Sequence, residues 1–216
     1  MKKLVSMALL VLILITTFVF PSKAYTTEVT TLRDELNCKK TTDLMLKNRE
    51  LWIDHVLWTR NFIISNISNL EDKNTVLERL LKNQDDIGNA LEPYYGKENA
   101  KKLSGLLRDH ISLAGQVLEA AKSGNKEALD KYNTQWYKNA DDIATFLTSL
   151  NPKLSKDKIK EMLNVHLQLV TDQVVANLNK KYDEDIIAYD KGEAHMTHFA
   201  DIISESIIKQ FPEKFK

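Results

Sequence analysis

The five histidines of this chain fall into a register that repeats three times. His55, His110 and His166 step by 55 and then 56 residues, Asn83, Asn139 and His195 step by 56, and so do Asp86, Asp142 and His198. A fixed period of this length means one supersecondary unit copied in tandem, each copy burying its apolar face against the next. The local text agrees: Asn83-Gln84-Asp85-Asp86-Ile87 matches Asn139-Ala140-Asp141-Asp142-Ile143, and Leu106-Leu107-Arg108-Asp109-His110 matches Met162-Leu163-Asn164-Val165-His166.

The unit is a helical hairpin. Leu103, Leu106, Leu107, His110, Leu113, Ala114 and Val117 recur at steps of three and four, as do Ile159, Met162, Leu163, His166, Leu169, Val170 and Val174, the period of an amphipathic helix. Two of the six glycines and two of the four prolines mark the breaks, at Pro93-Tyr94-Tyr95-Gly96, Ser123-Gly124-Asn125 and Asn151-Pro152, with weaker breaks near 70 and 183. The expected fold is all-α: an up-down six-helix bundle of three pseudo-repeated hairpins, with helices near 41–68, 74–93, 97–122, 126–150, 155–181 and 184–210.

Hairpin geometry then sets heights. Two residues of an antiparallel pair lie level when the turn falls midway between them, because both helices rise by ~1.5 Å per residue. His55 and Asp86, His110 and Asp142, and His166 and His198 are centred near residues 70, 126 and 182, each an expected turn. All six helices therefore carry a polar residue at one level of an otherwise apolar core.

Such a layer is a candidate metal site. The pairs Asn83/Asp86, Asn139/Asp142 and His195/His198 stand at i, i+3 on one helix face, the spacing by which helical bundles chelate metal. The candidate ligand pool is His55, Asp86, His110, Asp142, His166, His195 and His198, a set suited to Zn, Mn, Fe or Cu. Bis-histidine haem is open too, although no C-x-x-C-H attaches it covalently. The competing reading is a closed hydrogen-bonded network copied with the repeat and needing no ligand. A redox enzyme on a di-metal site is a third class. Trp52, Trp58 and Trp136, each three residues from a layer position, are expected to wall the layer. Asp54 and Asp109 point about 100° away from their neighbouring histidines.

Other chemistry is unsupported. No glycine-rich phosphate loop and no nucleophile-base arrangement is present. The lysine pairs at 39–40, 101–102 and 180–181 are too short to form the basic stripe that nucleic acid requires. The single cysteine, Cys38, cannot form an intramolecular disulfide.

Residues 1–24 read as a signal peptide: Lys2 and Lys3, an apolar run from Leu4 to Phe20, then Ser22 and Ala24 before the cut. An uncleaved anchor is the alternative, and the only membrane contact expected. Removing the segment takes away Lys2, Lys3 and Lys23 and no acid, so 30 basic and 30 acidic residues become 27 and 30, a formal charge of −3. Residues 25–40 read as a flexible leader and 41–216 as one bundle domain, secreted or held in the cell envelope.

Four strings carry a resemblance: Leu51-Trp52-Ile53-Asp54-His55-Val56-Leu57-Trp58-Thr59-Arg60, the run from Asn83 to Gly96, the run from Asn139 to Pro152, and Gln210-Phe211-Pro212-Glu213-Lys214-Phe215. Together they resemble a family of small secreted bacterial all-helical proteins without an established activity. The resemblance implies secretion and an all-helical fold, and no catalytic assignment.

Overall fold

The computed structural model describes residues Lys39–Phe215; the expected signal peptide, residues 25–38 of the leader and Cys38 lie outside them. Five helices follow in order: α1 (Lys39–Ile67), α2 (Lys73–Ser123), α3 (Lys126–Leu150), α4 (Lys156–Leu178) and α5 (Tyr182–Gln210), then a short 3₁₀ helix, Pro212–Phe215. Among the described residues there is no strand, and no helix is long and apolar enough to cross a membrane. The fold is all-α.

Apart from shifts of up to three residues at other ends, such as α4 stopping at Leu178 rather than near 181, two boundaries differ from expectation. Lys39 and Lys40 belong to α1 rather than to the leader. The expected second and third helices form one element, α2, bent at Gly96, whose φ of 79° and ψ of 162° leave the helical region. That conformation is open to glycine and strained for residues bearing a Cβ. Pro93, lacking an N–H, loosens the turn just before it. The two arms of α2 then fold back on each other so closely that a Cβ on Gly88 would stand 2.0 Å from Ser104 Oγ and 2.7 Å from Ala100 O.

Local chemistry explains the other ends. Asn125 caps α3 by accepting from the Ala128 N–H at 3.0 Å, and Glu127 sits in its first turn, where the helix dipole favours an acid. Trp136, Ala140, Ile143, Ala144 and Leu147 bury one stripe of α3. The helix stops where Asn151, preceding Pro152, is extended at φ −131° and ψ 100°.

The helices close on themselves: each packs on its neighbour in the chain, α5 returns against α1, and α1 also touches α4. The core is continuous, and Phe199, Leu80, Ile143, Ile159 and Leu167 are sealed from solvent. Burying each side chain of this size contributes about 1.5–3 kcal/mol.

The tyrosines of the Asn83–Gly96 string, the end of the Asn139–Pro152 string and the carboxyl-terminal string meet at one end of the bundle. Tyr95 OH donates to Gln210 Oε1 (2.9 Å) and accepts from Asn151 Nδ2 (3.0 Å), while Gln210 Nε2 donates to Leu150 O (3.0 Å). Lys214 donates to Pro93 O (2.6 Å), and Phe215 stacks on Tyr94 with ring centroids 5.8 Å apart. The 3₁₀ helix thereby clasps the Gly96 bend.

Candidate functional site

The three first-column histidines converge at the centre of the bundle. His55 on α1, His110 on the second arm of α2 and His166 on α4 are all buried. The Nε2 atoms of His55 and His166 are 3.3 Å apart, and the His110 and His166 rings lie 24° from parallel with centroids 6.3 Å apart.

His110 is fully engaged. Asn139 Nδ2 donates to Leu106 O (3.1 Å), which turns Asn139 Oδ1 toward His110 Nδ1 at 2.7 Å, so Nδ1 carries the proton. The indole N–H of Trp136, which can only donate, meets His110 Nε2 at 3.1 Å. These two partners fix a neutral Nδ1–H tautomer with its lone pair occupied.

His55 faces Gln84, whose amide nitrogen lies 2.9 Å from Leu80 O, 3.1 Å from Asn83 Oδ1 and 3.3 Å from His55 Nδ1. Two amide hydrogens cannot serve three acceptors equally, so the contact to His55 is the weakest of the three. Gln84 is completely buried. The histidine register does not mark it, since Ala140 stands 56 residues on. Its place on the seam with Leu80, Ile87 and Leu91 was the signal available.

The three residues of the second column behave alike. Asn83 Nδ2 donates to Leu51 O (2.9 Å), Asn139 Nδ2 to Leu106 O (3.1 Å), and His195 Nε2 to Met162 O (2.8 Å). Each acceptor is the carbonyl one turn before a first-column histidine: Leu51 before His55, Leu106 before His110 and Met162 before His166. A helical carbonyl keeps a second lone pair after its backbone bond, and these side chains use it.

The third column is turned outward. Asp86 pairs with Lys82 and Asp142 with Lys138, each at 2.7 Å and i, i+4, with carboxyl side chains 33% and 48% exposed. His198 is exposed. Level in height, these three residues are rotated out of the layer. Among the described residues no group of three or more His, Cys, Asp or Glu is placed to hold one metal ion.

Trp52 packs edge-on against His55 (5.5 Å) and Phe199 (5.0 Å), and Trp136 lies 5.4 Å from His110. These two wall the layer. Trp58 is half-buried and carries the Arg79 guanidinium over its ring at 5.0 Å.

The layer is electrostatically dry. Burial pushes His55 down to about 3, assisted by repulsion from His110 and opposed by the contact with Gln84. Burial pushes His110 down to about 4 against the bond to Asn139, and holds His166 well below the usual imidazole range. All three are neutral at pH 7.

No protein-family model, curated protein or solved structure matches this chain.

Proposed function

We propose that this chain is an extracytoplasmic interaction or structural module, built as three copies of one hairpin in a six-helix arrangement around a buried polar network, and that it works through its outer surfaces. The observation that carries this reading is the bond made three times over, from Asn83, Asn139 and His195 to the carbonyl one turn before the histidine of each copy. It gives a reason for a polar residue at each of those positions without any ligand. The two partners of His110 extend the same logic, since a metal would have to displace the Trp136 N–H to reach its lone pair.

The test is metal content and melting of chain purified without a histidine tag. The expected result is no stoichiometric Zn, Mn, Fe or Cu, no uptake on addition, and the same melting temperature with and without chelator. A metal that bridged helices would add its binding free energy to folding, so chelation would lower the melting temperature.

A second reading rests on one distance. The 3.3 Å between His55 Nε2 and His166 Nε2 is long for a hydrogen bond. It is close to the roughly 3.3 Å that separates two nitrogens on a tetrahedral ion with bonds of about 2.0–2.1 Å. In that reading His55 and His166 hold a transition metal, and His166→Gln abolishes its uptake while Asp86→Asn, Asp142→Asn and His198→Gln leave it unchanged.

A further inference from the structure

The outer face of α1 is apolar where a surface helix is ordinarily polar. Leu46 and Ile53 stand nine and two residues before His55, and Leu57 and Ile64 stand two and nine after it. At about 100° per residue all four lie within about 20° of the direction opposite the buried histidine, in one stripe about 27 Å long. Leu46 is 59% exposed and Leu57 38%, and Ile53 and Ile64 are half-buried. Arg60 Nη1 donates to Asp185 at 2.7 Å, which brings the start of α5 beside the carboxyl half of α1, and there Tyr182, Ile186 and Ile187 are exposed too. Scattered exposed apolar residues are ordinary, whereas a grouped set marks an interaction surface.

The other copies show that the fold does not require this stripe. The same four offsets from His110 fall on Lys101, Arg108, Ser112 and Glu119, and from His166 on Asp157, Asn164, Gln168 and Val175. Seven of those eight are polar, and all but the half-buried Asn164 are exposed. A helix carrying a first-column histidine therefore packs equally well with a polar outer stripe. Only in α1 are all four positions aliphatic.

We infer that the α1 stripe is the interface of a homodimer, formed with a second copy that packs antiparallel about a two-fold axis at the level of His55. The stripe is symmetric about that level. A second α1 running the opposite way sets Leu46 against Ile64 and Ile53 against Leu57 at both ends, the self-complementarity that an isologous contact demands. Leu46 then reaches the end where the start of α5 widens the apolar surface. Charge selects the same orientation: Glu50 and Arg60 stand five residues before and after His55, so an antiparallel copy brings each carboxylate level with a guanidinium, and a parallel copy would bring like to like. Glu50 already pairs with Lys47 and Arg60 with Asp185, so these charges set orientation more than affinity. The dimer deepens the reading of an interaction module and rests on it, yet the two fail separately. A metal in the histidine layer would overturn the ligand-free reading without changing the oligomeric state, whereas a metal-free monomer would overturn the dimer alone.

The experiment is sedimentation velocity of the chain from Tyr25 onward, in reductant, from about 2 to 500 µM, a range that spans micromolar affinities. The expected result is a single monomer–dimer equilibrium. Leu57→Glu, at an exposed position, should weaken the dimer at least about tenfold while the dilute chain melts as the parent does. Register is read in a Cys38→Ser background with a short bismaleimide: a mixture of Leu46→Cys and Ile64→Cys chains should link into a covalent dimer, and neither chain should do so alone. A monomer across the whole range would overturn the inference. So would a dimer that Leu57→Glu leaves unchanged, assembly beyond the dimer, Leu46→Cys chains that link to one another, or a mixture that does not link.

Discussion

Three neutral imidazoles in a dry layer make this fold acid-sensitive at an unusually high pH. An unfolded histidine titrates near 6.5, whereas His55 and His110 titrate in the folded chain at about 3 and about 4. Below pH 6.5 the unfolded chain therefore binds protons that the folded chain refuses, and stability falls as pH falls. The contribution is fully present above 6.5 and is lost progressively toward the folded values. At about pH 5 each of the two histidines costs about 2 kcal/mol, so the pair costs about 4 kcal/mol, and His166 acts in the same direction. Glu119 and Asp141 are held below their ordinary carboxyl values, so their losses begin at lower pH and do not obscure this window. For a domain of this size, 4 kcal/mol corresponds to a fall in melting temperature of roughly 8–16 °C. Guanidinium unfolding of the chain from Tyr25 onward near pH 7.5 and pH 5 reads the difference directly, and in His110→Gln the dependence between about pH 6 and 5 should shrink by one proton. A stability at pH 5 within about 1 kcal/mol of that at pH 7.5 would refute the burial of these rings as neutral groups.

Removing Asn139 tests the network at its best-connected point. Asn139→Leu strands His110 Nδ1–H and should cost about 2–3 kcal/mol in chemical denaturation, whereas Asp142→Asn on the exposed third column should stay within about 0.5 kcal/mol. Equal effects of the two would mean that the columns are not distinguished by burial. Gly88→Ala should destabilise by at least about 2 kcal/mol despite the better helix propensity of alanine, because the new Cβ meets a backbone carbonyl at 2.7 Å; a variant as stable as the parent would show that the arms of α2 are not so close. Mass spectrometry of the extracellular or envelope fraction should find the chain beginning at Tyr25, and a retained Met1–Ala24 segment would instead favour an anchored form.

Helical identity and turn positions were legible in the residues because they depend on local facts. Apolar side chains at steps of three and four, Asn125 before α3 and Asn151 before Pro152 act within a few residues of themselves, and α3 runs over 126–150 as its sequence predicts. Heights were legible as well, since rise per residue is fixed by the backbone, and His55 and His166 do meet. The bend at Gly96 was visible as a break, but not that α2 would continue through it, because its direction depends on the Gly88–Ser104 contact and the carboxyl-terminal clasp.

Rotation about each helix axis was decided only by tertiary packing. Residues at i and i+3 differ by about 60° around the helix, within the width of a single apolar stripe. Sequence alone therefore placed Asn139 and Asp142 together as members of one layer. Packing of Trp136, Ala140, Ile143 and Leu147 against the neighbouring helices turns α3 so that Asn139 reaches a carbonyl on α2, while Asp142 is left in solvent with Lys138. The same rotation separates Asn83 from Asp86 and His195 from His198. A periodic pattern determines which residues share a height and an approximate face. Which of them is buried depends on how the large side chains of several helices fill one volume, and no single segment of the chain contains that information.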